Sequence, residues 1–243
     1  MSETFQRSCE HWSEAGRAGM EAFYALATAD YRVLAEAMDW RRWLEERQRI
    51  AGGRSLRLLD VACGSGKFPV ALAAHAGLAE AAVRPIDTAL LDPSAFSIAE
   101  ARAALPPPFR AGAEYEIPLQ ALDCPRGAFD IAWATHALYA IPAAELPSAM
   151  GLFLHAIGDS GVGVIAHSTC DGHYIRFHEQ FLQAFGGDPA QRFSSAGQVR
   201  EALKAHGARV TSREIDYDNG LPASAHAEVE AFLQRCAFDD RFT

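Results

Sequence analysis

The sequence predicts an α/β fold: a doubly wound, mostly parallel sheet with an N-terminal helical cover. Two observations predict it. Short apolar runs alternate with stretches whose apolar residues recur at three- and four-residue steps, the βαβ rhythm of a parallel sheet with helices on both faces. The first of those runs also passes straight into a glycine turn, Cys63-Gly64-Ser65-Gly66, that opens a helix.

The cover comes first. From about residue 10 to residue 49, Phe23, Tyr24, Leu26, Tyr31, Leu34, Met38 and Leu44 keep helical spacing without a proline, and Ala51-Gly52-Gly53 ends the run. Residues 1–50 are therefore expected as a helical cover and 51–243 as the main domain. Residues 56–62 (LRLLDVA) read as a short buried strand, followed by a helix over about 69–75, where Pro69 suits a first helical turn. The alternation continues with a strand at 86–91, a helix at about 94–104, and a break at Pro106-Pro107-Pro108. A weak strand near 113–115, a stronger one at 129–134, a helix at 145–157 and a strand at 162–167 follow. The last third predicts helices at 174–185, 195–206 and 225–236 and a strand at 209–215, with residues 168–195 as a substrate-binding insert. There is no internal repeat and no low-complexity linker.

Composition narrows the partners. A chain of 243 residues, 49% hydrophobic, can bury a large core, and its net charge of −9 opposes a nucleic-acid partner, whose phosphates need concentrated positive charge. Arg41, Arg42, Arg47 and Arg49 are interleaved with Glu45 and Glu46, the pattern of a solvated helix face. No apolar run reaches the roughly 18 residues that span a bilayer, and the first residues (MSETFQRSCEHW) lack the apolar core of a signal peptide. A cytoplasmic protein without a membrane partner is expected. Five cysteines are widely spaced and never form CxxC, so reduced thiols are expected. His167, Cys170, His173 and His178 match neither zinc-finger nor HExxH spacing, and no metal is expected.

The chemistry starts at the glycine turn. Gly64 and Gly66 let backbone pass close to a ligand, and the helix behind them presents N–H groups, an arrangement suited to nucleotide-like cofactors. A GxG alone is ordinary strand-helix punctuation. Asp92, at the end of the next strand in ALLDPS, adds a carboxylate beside the first turn that can accept both ribose hydroxyls. A dinucleotide fingerprint asks for a small third residue, but Pro69 stands three after Gly66, and Asp60 would repel a pyrophosphate. An acid there tolerates a sulfonium carrying an ammonium group, which points to S-adenosylmethionine (SAM).

Leu58-Leu59-Asp60-Val61-Ala62-Cys63-Gly64-Ser65-Gly66 resembles the first motif of class I SAM-dependent methyltransferases. Asp92-Pro93-Ser94 resembles their ribose-binding motif, and Gly127-Ala128-Phe129-Asp130-Ile131-Ala132-Trp133 is similar to their fourth strand. The resemblance runs from about residue 57 to residue 215. It implies a Rossmann-like methyltransferase domain, with SAM as cofactor and S-adenosylhomocysteine as product. Asp60, Cys63, Gly64, Ser65 and Gly66 would then face its methionine and ribose, and Asp92, Pro93 and Ser94 the ribose hydroxyls. Ser97, Glu114 and Glu116 would lie at the adenine end, and Thr135 after the fourth strand. Asp130 reads as a strand-start residue held by local hydrogen bonds.

After that strand, His136 and Tyr139 stand three apart and are the expected catalytic pair, with His136 either taking a proton or orienting a nucleophile. No Asn-Pro-Pro-Tyr/Phe tetrapeptide occurs, which favours a free small-molecule acceptor. Glu21-Ala22-Phe23-Tyr24, Asp92-Pro93-Ser94-Ala95, the 136–139 stretch and the helix through 229–238 look like the histamine N-methyltransferase branch. That likeness implies an aromatic substrate pocket from Phe23, Tyr24, His136, Tyr139, Tyr174, Phe177 and His178. The branch carries glutamine where His136 stands, so histamine itself is not implied. N-methylation of an amine or heteroaromatic metabolite is the expectation, with O-methylation, a non-catalytic SAM-binding subunit and a nicotinamide-dependent oxidoreductase as alternatives. Class I members usually end in an antiparallel strand that 237–243 (AFDDRFT) is too short and polar to supply, so further chain or a partner subunit, a second copy included, is expected to complete the sheet.

Overall fold

A computed structural model describes residues 3–78, 83–186, 192–220, 222 and 224–238. The elements run α1 (Glu3–His11), a 3-10 turn (Glu14–Gly16), α2 (Arg17–Glu36), α3 (Trp40–Ile50), β1 (Leu56–Val61), α4 (Lys67–His75), β2 (Ile86–Leu91), α5 (Ala95–Ala104) and β3 (Phe109–Tyr115). Then come a 3-10 turn (Leu119–Ala121), β4 (Ile131–Thr135), α6 (Leu146–Ile157), β5 (Val162–Ala166), α7 (His173–Phe185), α8 (Ala196–Ala205) and α9 (His226–Ala237). The five strands form one parallel sheet in the order β3-β2-β1-β4-β5. The chain divides into two compact units: a sheet unit, Thr28–Thr135 with Leu152–Ile165, and a ring unit, Met1–Ala27 with His136–Gly151 and Ala166–Thr243. The helical cover of 1–50 is thus shared by both, and the 168–195 segment belongs to the ring unit.

In the sheet unit, β1 is central and buried almost throughout, as a strand with helices on both faces must be. Leu56, Leu58, Ile86, Ile131 and Trp133 pack with Phe68 and Leu72 of α4 and Trp40 and Leu44 of α3. Trp133 receives the edges of Phe68 and Phe109 at 5.0 and 5.5 Å between ring centres. Asp130 locks the start of β4 to β1: its carboxylate accepts from the Arg54 guanidinium at 2.5 Å and the Arg57 N–H at 2.9 Å. Burial alone would raise that carboxyl, but the bonds from Arg54 and Arg57 outweigh it and hold it at about 2.

Three expectations about elements change. The long N-terminal helix is interrupted before α3, where the Asp39 carboxylate accepts the Arg42 N–H at 2.9 Å; an N-cap starts a new helix despite the unbroken apolar spacing. β3 is longer than its weak signal, because pairing with β2 from Ile86 opposite Phe109 supplies what its Ala/Gly-rich sequence lacks. Residues 209–215 form no strand. They lie outside any regular element, with Val210 and Ile215 half-buried and 211–214 exposed. Alternation marks a segment fit for a ladder, but a strand also needs neighbouring main chain to bond.

The ring unit is held by helix contacts and one buried cation. Phe23 of α2 stacks on Phe232 of α9 at 5.3 Å and 10°. Arg235, 5% exposed on α9, donates to the carbonyls of His11 and of Gly16, the latter at 2.8 Å, with its guanidinium 4.9 Å from the Trp12 ring centre. This pins the turn between α1 and α2.

Candidate functional site

The glycine turn sits at the carboxyl end of β1, where ligands bind in open parallel sheets. Ala62, Gly64 and Gly66 all take positive φ, at 50°, 52° and 70°. The Cys63 N–H donates to Leu91 O at 3.1 Å, which ties the turn to the end of β2. A Cβ on Gly66 would lie 3.2 Å from Ala101 Cα in α5, so glycine is required there for both conformation and approach.

Asp92, directly after β2, closes on this turn. Its Oδ2 accepts the Gly64 N–H at 3.1 Å, its Oδ1 accepts the Ser94 N–H at 2.9 Å, and the Ser97 hydroxyl also bonds it. Burial raises its carboxyl to about 6 despite those bonds. Asp60, inside β1 and 3% exposed, is pushed to about 8 by burial, against a bond from the Trp133 side chain, with the Asp92 charge adding to the rise. Among the described residues Asp60 Oδ2 and Ser65 Oγ are buried without hydrogen-bond partners. Unmet buried acceptors beside a backbone that leaves no room for a Cβ fit a ligand that brings positive charge and hydroxyl groups, as SAM does.

The other expected cofactor residues divide. Cys63 is buried in the turn, where burial and then Asp60 and Asp92 push its thiol up and keep it protonated. Pro93 and half-buried Ser94 lead into α5, which Ser94 caps by accepting the Ser97 N–H at 3.2 Å. Ser97 itself is buried and turned to Asp92. Glu114 is exposed and paired with Arg102 at 3.2 Å, and Glu116 is exposed just past β3. Asp60 lies opposite Trp133, which carries Thr135, the last residue of β4, past the carboxyl end of β1.

The next residue, His136, belongs to the ring unit. It takes a positive φ of 53°, and its N–H donates to Ala166 O at 2.9 Å. His136 Nδ1 is 3.1 Å from Tyr139 Oη, and that oxygen accepts the Ser168 N–H at 3.0 Å. Tyr174 lies 5.6 Å from both the His136 and Tyr139 rings, and Phe23 lies 6.5 Å from Tyr174. Phe23, His136, Tyr139 and Tyr174 therefore form one connected cluster. Tyr24 joins through Phe23, Phe177 through an edge contact with His173, and His178 by lying flat on Phe193 at 3.6 Å. Phe177 is 37% exposed, whereas His178 is buried.

Sequence reasoning did not name Phe193, which touches Tyr139, or Tyr217, which touches His173. Both lie outside regular elements, where periodicity says nothing about facing. His167, stacked on Tyr139 at 4.1 Å, and His173, 4.2 Å from Tyr174, stood out in the sequence only as histidines.

Three imidazoles of this cluster stay uncharged. Burial lowers His136 to about 4, with His173 adding to the effect. Burial likewise lowers His167 to about 4, against a 2.7 Å bond between its Nε2 and Ser194 O, and His178 to about 4. All three are neutral at pH 7. Since a carbonyl can only accept, His167 carries its hydrogen on Nε2, and its buried Nδ1 has no partner among the described residues. Among those residues no group of three His, Cys, Asp or Glu could hold a metal ion, and no helix is long and apolar enough to cross a membrane.

A family model described as a methyltransferase domain matches residues 34–213. No curated protein matches the chain in sequence. Among solved structures, magnesium protoporphyrin IX methyltransferase from Synechocystis PCC 6803, with bound S-adenosylhomocysteine, aligns at a TM-score of 0.57 and 14% identity over 87% of this chain and 94% of that one. A SAM-dependent methyltransferase from Leishmania major aligns at 0.50 and 13% identity over 86% and 75%. A chain solved in work on the conversion of a disulfide bond into a thioacetal group during echinomycin biosynthesis aligns at 0.43 and 19%, and this chain spans 64% of it. At these identities the solved structures establish the fold, and the family model, which spans most of the chain, establishes the family. The chain belongs to the methyltransferase-domain family and is a class I SAM-dependent methyltransferase.

Proposed function

We propose that this enzyme transfers the methyl group of SAM to a nitrogen of a small amine or heteroaromatic molecule. The observation that carries the reading is the cluster of aromatic and imidazole rings around His136 and Tyr139, with the His136 imidazole held neutral. A nitrogen that accepts a methyl gains positive charge, which ring faces attract. Bound SAM supplies an electrophilic methyl on sulfur. Gly64 and Gly66 leave room for its methionine and ribose, Asp92 accepts from the ribose hydroxyls, and Asp60 answers its positive charge. Cys63, Ser65, Pro93, Ser94 and Thr135 line its path, and Ser97, Glu114 and Glu116 stand toward the adenine. Phe23, Tyr24, Tyr174, Phe177 and His178 shape the acceptor's surroundings.

The likeness to the histamine N-methyltransferase branch supports amine chemistry, while His136 in place of glutamine argues for a different amine. The acidic composition and cysteines without a bridging pattern support a cytoplasmic enzyme. A second copy or a partner subunit completing the sheet at β5 is supported by that strand's having one neighbour, β4, among the described residues. Incubation with isotopically methyl-labelled SAM and a panel of amines, heteroaromatics, phenols and carboxylates tests the acceptor. Label on nitrogen is expected; label on oxygen alone, or SAM binding without turnover on any member, overturns the reading.

A further inference from the structure

His167 follows β5 directly, at the carboxyl end of a strand, where open parallel sheets place their ligand contacts. Its Nε2 lies 2.7 Å from Ser194 O, and a carbonyl oxygen can only accept, so this nitrogen carries the ring's hydrogen. A neutral imidazole has one donor and one acceptor nitrogen, which leaves Nδ1 as a bare lone pair. Burial keeps the ring neutral at pH 7, so that lone pair stays available. Nδ1 is buried and meets no donor among the described residues. A buried acceptor without a partner is uncommon in folded proteins and marks a place where a bound molecule gains by donating.

The ring cannot easily turn this lone pair elsewhere. Residues 167–168 and 194–196 are laced together twice, by the His167 Nε2–H on Ser194 O and by the Ala196 N–H on Ser168 O at 2.8 Å. Ser194, 1% exposed, also donates from its hydroxyl to Leu138 O at 3.4 Å. One face of the imidazole lies on Tyr139 at 4.1 Å and 25°. Flipping the ring would forfeit the Ser194 bond, and swinging it out would forfeit the stack. Tyr139 in turn meets Tyr174 and Phe193, so the fixed acceptor stands within the ring cluster proposed to surround the methyl acceptor.

Resting on the N-methylation reading, we propose that His167 determines acceptor specificity, its Nδ1 accepting a hydrogen bond from an N–H or O–H of the methyl acceptor. The acceptor is then a nitrogen compound with two features, a lone pair that attacks the methyl group and a separate donor that meets His167. An amino-substituted heteroaromatic ring has both, whereas a tertiary amine has only the first. The bond holds the acceptor alike before and during transfer, so it acts on KM and leaves kcat nearly unchanged. His167 takes no proton. The nitrogen lone pair forms the N–C bond, the S–C bond breaks with its electrons remaining on sulfur, and the positive charge passes from sulfur to nitrogen. An acceptor without the donor leaves Nδ1 buried and unpaired, the situation in which a site discriminates most strongly.

Two probe pairs keep the ring nitrogen and the size but differ in the donor: 3-aminopyridine against 3-methylpyridine, and 6-aminoquinoline against 6-methylquinoline. Nitrogen NMR of ring-labelled histidine, with the His167 signals assigned by their loss in His167→Gln or His167→Phe, reads Nδ1 directly. It should be unprotonated in the free protein and move upfield with an amino probe and S-adenosylhomocysteine, but not with the methyl partner. A protonated Nδ1 in the free protein, no response to either amino probe, or equal responses within a pair overturns the proposal. In turnover, kcat/KM should favour the amino member by about tenfold or more, with the difference in KM. His167→Gln retains an N–H for Ser194 O but lacks Nδ1, and should narrow that preference to within about threefold at unchanged SAM affinity. A preference that survives in this variant would leave His167 a purely structural part. Label found only on oxygen would instead overturn the reading beneath and leave the Nδ1 response standing.

Discussion

The same force acts with opposite results in the two units. Around the glycine turn, burial raises Asp60 to about 8 and Asp92 to about 6, so it favours the protonated carboxyls there. Around His136, burial lowers three histidines to about 4, so those imidazoles stay neutral at pH 7. Desolvation disfavours whichever form is charged, so it pushes carboxyls up in one unit and imidazoles down in the other.

The largest test of that contrast is Asp92→Ala. It removes the acceptor of the Gly64 and Ser94 N–H groups along with the proposed ribose contacts, each bond to a charged group being worth about 1.5–3 kcal/mol. SAM affinity should fall at least about a hundredfold in calorimetry, while the histidine NMR signals of the ring unit stay in place. Disturbance of both would mean that the two environments are not independent.

A smaller effect separates the carboxylates by pH. Below about 8 the folded protein holds Asp60 protonated, and a bound cation must displace that proton. SAM affinity, measured relative to uncharged-sulfur S-adenosylhomocysteine, should rise with pH up to about 8 and then level, and Asp60→Asn should abolish the slope. A slope that survives the substitution would assign it to another group. The stability signs differ in parallel. Asp60, raised above its unfolded value of 3.8, contributes stability that is lost as pH rises toward about 8. The histidines, lowered from 6.5, contribute stability that is lost as pH falls from about 6.5 to about 4.

The smallest effect belongs to Asp130, which lies in the sheet unit but serves only its framework. Its folded value is depressed from 3.8 to about 2, so its contribution is complete above about 4 and disappears as pH falls through about 2. Asp130→Asn should lower unfolding free energy at pH 7 by about 1–2 kcal/mol, discounted because Arg54 and Arg57 are half-exposed, with no change in SAM affinity. A matching loss of affinity would move Asp130 from framework to site.

Local chemistry was open to reading. The turn from Cys63 to Gly66, the acid at Asp92 and strands β1, β2, β4 and β5 lie within short runs where glycine, apolar density and spacing act on neighbours. The same logic failed at 209–215, where the pattern of a strand has no adjacent main chain to pair with among the described residues. It also missed the start of α3, where one carboxylate on one N–H outweighed a continuous apolar stripe.

The glycine turn and the carboxylate that closes on it thus came from the order of residue types along the chain, since a strand, a turn and an acid at the end of the next strand are separated by short segments. The state of His136 did not. Its Nδ1 stands by Tyr139 Oη, which accepts the N–H of Ser168, 29 residues farther along, and its own N–H is bonded to Ala166 O. Arg235 reaches Gly16 across 219 residues in the same way. A proton's position on an imidazole is set by whichever partner stands at hydrogen-bond distance, and only folding brings those partners together.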